Sequence, residues 1–110
     1  MTKLSLLASQ INIPAMTTAE QRDAHLRSVS AKLHQQLTAK PHDLVVLPEL
    51  STVDYSRTAF DALTELAEDL SGPSVNAFGA LAKQHNTTIV FGMPRKAGDR
   101  YKISQVAVGP

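Results

Sequence analysis

The chain of 110 residues contains no cysteine. That absence excludes disulfides and thiolate metal sites, and it excludes a cysteine nucleophile supplied by these residues. Long apolar runs are missing as well. The opening segment, MTKLSLLASQ, is too short in apolar residues for a secretory leader and far below the roughly 20 that a bilayer-spanning helix needs. A cytoplasmic protein with no membrane partner is the expectation. Neither sign of charge dominates: 11 Lys and Arg against 10 Asp and Glu leave +1. The basic residues are scattered rather than striped, so no nucleic-acid partner is expected. No Gly/Ser linker, repeat or low-complexity stretch divides residues 1–110, which read as one domain. Glycine is absent from Ser9 to Pro14, so no phosphate-cradling loop follows the first candidate strand. His25, His34, His42 and His85 have no spacing typical of a zinc site; no metal or other cofactor is expected.

What is present is enough apolar material for a core, 43% of residues, with 19% charged. Lys3 to Gln10 is a strand candidate. Thr17-Thr18-Ala19-Glu20 has the spacing of a capping box, and Leu26, Val29, Leu33 and Leu37 recur at helical intervals up to a stop near Lys40-Pro41. Asp43 to Pro48 carries four consecutive apolar residues, the mark of a strand covered on both faces. After a polar loop, Phe60, Leu63, Leu66 and Leu70 suggest a second helix with Glu65, Glu68 and Asp69 on its wet side. Ser71-Gly72-Pro73 breaks the chain. Val75, Phe78, Leu81 and Ala82 mark a third helix, with Asn86 as a left-handed terminator. Thr87 to Met93 is another strand, Pro94 to Arg100 a polar turn, and Tyr101 to Val108 a strand returning antiparallel. The order predicts an α/β unit whose first three strands are parallel.

The stretch DLVVLPEL, Asp43 to Leu50, then poses a problem: a buried strand ends in a proline and a lone carboxylate. Burying an unpaired carboxylate is costly. In open α/β sheets the ligand site lies beyond the carboxyl ends of the strands, and Pro48, lacking a donor, fixes where the chain leaves the sheet. Glu49 is thereby placed at a rim, as a site residue or as an exposed loop carboxylate. Tyr55 is either a packing residue or a substrate contact, and Asp54 and Arg57 read as solvated loop.

The run LPELSTVDY resembles the first catalytic motif of the nitrilase, or carbon-nitrogen hydrolase, superfamily: a Pro-Glu at a strand end followed by a short loop to a tyrosine. Ala8-Ser9-Gln10, Leu81-Ala82-Lys83 before TTIVFGMP, and Tyr101 followed by SQVAVGP agree in order along the whole chain. The resemblance implies the N-terminal half of an α-β-β-α sandwich. It also implies cleavage of non-peptide C–N bonds in a small amide or nitrile by a glutamate base, a lysine and a cysteine nucleophile, without a cofactor, in a self-associating parent protein. Glu49 matches the glutamate and Tyr55 the loop tyrosine. A carboxylate in a partly dry pocket holds a proton more tightly, which suits it to accept one from a thiol.

The sequence departs from that pattern in three places. The family's lysine and cysteine motifs lie beyond the strand that here ends in Gly109-Pro110, and the lysine role is not carried onto Lys102. Asp54 stands where the family often has glycine, and the asparagine the family often carries after the tyrosine of the fourth strand is not evident around Lys102-Ile103. The first expectation is therefore an incomplete carbon-nitrogen hydrolase domain, inactive by itself. A noncatalytic α/β domain on the same scaffold, binding a small molecule or partner, is the second. An unrelated flavodoxin-like domain is the third, disfavoured by the missing glycine loop.

Overall fold

The computed structural model describes residues 3–110. Met1 and Thr2, which open the MTKLSLLASQ segment, lie outside the described residues. The elements are β1 (Leu6–Ala8), α1 (Ala19–Ala39), β2 (Leu44–Val46), α2 (Arg57–Asp61), α3 (Leu63–Leu66), α4 (Pro73–Gln84), β3 (Thr88–Ala97) and β4 (Arg100–Val108). The four strands form one sheet in the order β1-β2-β3-β4. Pairing is parallel from β1 to β3 and antiparallel between β3 and β4, as the sequence implies. Among the described residues no helix is long and apolar enough to cross a membrane.

Helix α1 starts one residue later than the capping box suggests. Thr18 is the cap: Gln21 N–H donates to Thr18 Oγ1 at 3.1 Å, and Gln21 Oε1 accepts from the N–H groups of Thr17 and Thr18. Glutamine thus takes the reciprocal role assigned to Glu20. Leu26, Val29, Leu33 and Leu37 are buried as their spacing predicts, and Asn86, φ 50°, terminates α4 in the left-handed region.

The register divides the sheet into two faces. Leu7, Val45 and Ile89 are aligned across β1, β2 and β3, and they pack with Leu47, Phe91 and Met93 against Leu33, Leu37, Phe78 and Ala82 of the helices. Alternation of side chains turns Leu6, Leu44, Val46, Val90 and Ala107 to the other face. That face is open, with Leu6 55% exposed. Val45 thus occupies the covered face, where Val45→Asp would bury an unpaired charge. The variant is expected to lose upwards of about 4 kcal/mol, measured as a collapse of the urea midpoint; an unchanged midpoint would overturn its burial.

Three local expectations need correction. The second helix is broken at Ala62 and stops at Leu66. Beyond it Glu68 is not on a wet face but 5% exposed. Its carboxylate accepts from Ser74 N–H at 2.7 Å and Ser74 Oγ at 2.6 Å, so it caps the N-terminus of α4, and it lies 3.7 Å from the buried Arg22 guanidinium. The carboxylate thereby fills a capping role that Gly72, having no side chain, cannot. Asp69 does stay exposed, held below the usual carboxylate range by the Ser71 hydroxyl and N–H. The expected polar turn 94–100 is mostly strand: β3 runs to Ala97, and the turn is Gly98-Asp99, with Gly98 at φ 63°. Pro94 is tolerated inside β3 because its carbonyl, and hence its missing N–H, faces away from β4, toward Glu68.

Candidate active site

Beyond Val46 the chain does not simply leave the sheet. Leu47 N–H still donates to Val90 O at 2.9 Å, Pro48 cannot donate, and Ser51 N–H reaches Gly92 O at 2.9 Å. Between those two bonds Glu49 is bowed against β3. Its carbonyl accepts from Gln105 Nε2 of β4 at 3.2 Å, and it lies so close to Gly92 that a Cβ built there would overlap it. Glycine is required at 92 by this approach.

Ser51 ties the bow off. Its hydroxyl donates to Pro48 O at 2.6 Å and accepts from Gly92 N–H at 3.3 Å. The Ser51 carbonyl in turn accepts from His25 Nε2 of α1 at 2.8 Å, both residues being buried. A carbonyl only accepts, so Nε2 carries the hydrogen. The main chain of Glu49 is therefore held by two strands and a helix. Its side chain is exposed, and no hydrogen bond or ion pair to its carboxylate is present among the described residues. The partly dry pocket expected around it is not formed by these residues.

The loop that follows is not solvated as its polar residues suggested. Leu50, Ser51, Thr52 and Val53 are all buried, and Leu50 and Val53 join Met16, Ala59 and Leu66 in a second apolar cluster. Asp54 Oδ1 accepts from Met16 N–H at 3.2 Å, fastening this loop to the one after β1. Arg57 is solvated as expected, paired among the described residues with Asp61 at 3.6 Å. Tyr55 is 81% exposed and meets Phe60 edge to face, with ring centroids 5.3 Å apart; it is not a buried packing residue.

Two clefts flank this assembly. Ala8, Ser9, Gln10, Val46, Leu47 and Pro48 line an open one of about 360 Å³ at the carboxyl ends of β1 and β2. Phe60, Leu63, Pro94, Tyr101, Lys102 and Ile103 line another of about 240 Å³. Among the described residues no group of three or more His, Asp and Glu is arranged to hold a metal ion.

Sequence reasoning picked out Glu49 and Tyr55 but missed the residues that hold Glu49: His25, Ser51, Gly92 and Gln105. Two signals were available. Gly92 interrupts an otherwise apolar strand, which marks a close backbone approach. Arg22 and His25 lie at helical spacing from Leu26 and Val29, placing polar groups on a buried face.

Comparison with known proteins bears on the family and the fold. The sequence profile of the carbon-nitrogen hydrolase family matches residues 7–110. A Pseudomonas protegens protein named "Hydrolase in pqqF 5'region" is 36% identical over 69 residues, 62% of this chain and 24% of its own length. The chain thus spans about a quarter of that curated relative. XC1258 from Xanthomonas campestris, a CN-hydrolase superfamily protein, matches with a TM-score of 0.76 at 24% identity, over 100% of this chain and 38% of that one. An N-terminal amidase crystallised with a Gln-Val peptide matches with a TM-score of 0.75 at 19% identity, covering 96% and 25%. At these identities the two structures speak for the fold.

Proposed function

Because this chain belongs to the carbon-nitrogen hydrolase family, we propose that residues 1–110 supply the general base of an enzyme that hydrolyses a small amide or nitrile. The base is Glu49. One observation carries this reading: a carboxylate with no structural partner among the described residues stands at the carboxyl end of β2, while its backbone is clamped by Gly92, Ser51 and Gln105. A general base needs that combination of a fixed position and a free carboxylate.

In the proposed reaction on an amide, Glu49 takes the proton of a cysteine thiol contributed by sequence outside these residues, and the thiolate attacks the substrate carbon. A lysine ammonium, also from outside, holds the oxyanion of the tetrahedral intermediate. That intermediate expels the amine as the C–N bond breaks, with Glu49 returning its proton to the departing nitrogen. Water, deprotonated by Glu49, then attacks the thioester, releasing the acid and restoring the thiol. Tyr55, exposed beside the Glu49 loop, is proposed to contact the substrate. The rest of the protein would cover the open sheet face and dry the Glu49 pocket.

The absence of cysteine within the chain favours one second reading, a noncatalytic binding domain on the same scaffold. The two separate in an assay of the full-length protein and of residues 1–110 against a panel of amides and nitriles, reading ammonia or amine release. The proposal expects turnover by the full-length protein, blocked by iodoacetamide, and none by residues 1–110. Inactivity of both, with a substrate-like amide still binding, supports the noncatalytic reading. Turnover by residues 1–110 alone would contradict the cysteine mechanism.

A further inference from the structure

His34 of α1 and His85, the residue that caps the end of α4, meet in space although 51 positions separate them in sequence. His34 Nδ1 and His85 Nε2 stand 2.9 Å apart, and the ring centroids 5.0 Å. Neither residue belongs to the Glu49 site. Both lie near the ends of helices that lead into β2 and β3, at the amino ends of those strands, whereas Glu49 follows the carboxyl end of β2.

We propose that this pair is a two-histidine clamp for a late first-row divalent ion, Cu²⁺ most tightly and Ni²⁺ or Zn²⁺ less so, with water completing the coordination. Two imidazoles held within reach of one ion by two packed helices carry the assignment. Two imidazole nitrogens, each about 2.0–2.1 Å from one ion, stand about 2.9 Å apart at the right angle of a square-planar site and about 3.3 Å apart in a tetrahedral one. The observed 2.9 Å is the hydrogen-bond distance of the ion-free pair and already lies within this range, so an ion needs rotation of the rings and no movement of the helices; Cu²⁺ heads the affinity order for nitrogen donors.

The support is stiff and the ligands are accessible. Leu33 and Leu37 of α1 pack in one core with Leu81 and Ala82 of α4, so the two helix ends are fixed relative to each other. The His34 ring is exposed, which gives an ion its entry. In the ion-free pair one ring nitrogen donates a hydrogen to the other. Binding moves that hydrogen to the outer nitrogen of the same neutral ring, with no net proton release. Both rings then swing so that their lone pairs converge to one side of the line joining the nitrogens. The hydrogen bond is exchanged for two metal–nitrogen bonds.

The test titrates the full-length protein, without a histidine tag, with Cu²⁺ alone, followed by electron paramagnetic resonance and thermal melting. One tight equivalent with two-nitrogen hyperfine structure is expected, and with it a rise in Tm, because the ion binds the folded state. His34→Ala and His85→Ala should each weaken that equivalent at least tenfold and abolish the rise. His42→Ala, whose ring bonds Ser5 Oγ and takes no part in the pair, should change neither. Should His85→Ala disturb folding, His34→Ala decides alone, since its ring is in solvent. Unchanged Cu²⁺ affinity in the double variant, or the lack of a tight equivalent in the parent protein, would overturn the clamp.

Discussion

Glu49→Gln is expected to lower turnover of the full-length protein by roughly 10²- to 10⁴-fold, the usual contribution of a general base, while leaving its Tm in place. The amide fills the same volume but cannot take a proton from a nucleophile. Nothing in the fold depends on the charge: the carboxylate is exposed, and the bond from Gln105 goes to the Glu49 backbone carbonyl, which any residue supplies. Glu68 is the internal contrast. Its carboxylate is buried, caps α4 through Ser74 and faces Arg22, so Glu68→Gln should be read in the melt rather than in kcat. The measurement is kcat and KM beside thermal unfolding for both variants. A fall in kcat with little change in KM identifies a group acting in the transition state. Parental turnover by Glu49→Gln would return Glu49 to the status of a loop carboxylate.

The parts of this molecule that could be read from the sequence are those set by local pattern. Leu26, Val29, Leu33 and Leu37 announce α1 because a 3.6-residue period leaves one buried stripe, and four apolar residues in a row announce β2 as a strand, although among the described residues only its Val45 face is covered. Asn86 is legible because few residues tolerate positive φ. Apart from the one-residue shift of the α1 cap, the misreadings involve contacts that lie outside any short window. Glu68 looks wet by helical spacing; only the arrival of Ser74 and Arg22 makes it a buried cap. Leu50 to Val53 look like a polar loop because their burial depends on Met16, Ala59 and Leu66, whose approach no short window contains. Pro94 looks like a turn because proline disfavours strands, yet its missing N–H falls on the side of β3 away from β4, so the β3–β4 ladder loses no bond. The candidate site divides in the same way. Its proposed base, Glu49, is marked by a local motif, whereas the residues that hold its backbone come from α1, β3 and β4.

Gly92→Ala is the change expected to do most harm for its size. A Cβ at 92 would overlap the Glu49 carbonyl carbon and oxygen and would press on Gln105 Nε2 at 2.9 Å. Backbone cannot yield as the end of a side chain does, so Glu49 must move outward or β3 must bend. Either movement loosens the two bonds between Ser51 and Gly92. Overpacking of this kind costs about 1–3 kcal/mol and occasionally more. Displacing a catalytic group by about 1 Å can cost on the order of 10²-fold in rate. Two other glycines separate strain from position. Gly98→Ala meets nothing within 4 Å but must hold φ 63°, so it should lower Tm and spare kcat. Gly79→Ala, inside α4 with open space around it, should raise stability by roughly 0.5–1 kcal/mol. Gly92→Ala alone should lose both Tm and kcat, and its kcat deficit should persist at temperatures well below the melt, where the folded fraction is complete. A Gly92→Ala protein with the parental Tm and kcat would mean that the Glu49 bow is not held against β3, and that the base is positioned by something other than this clamp.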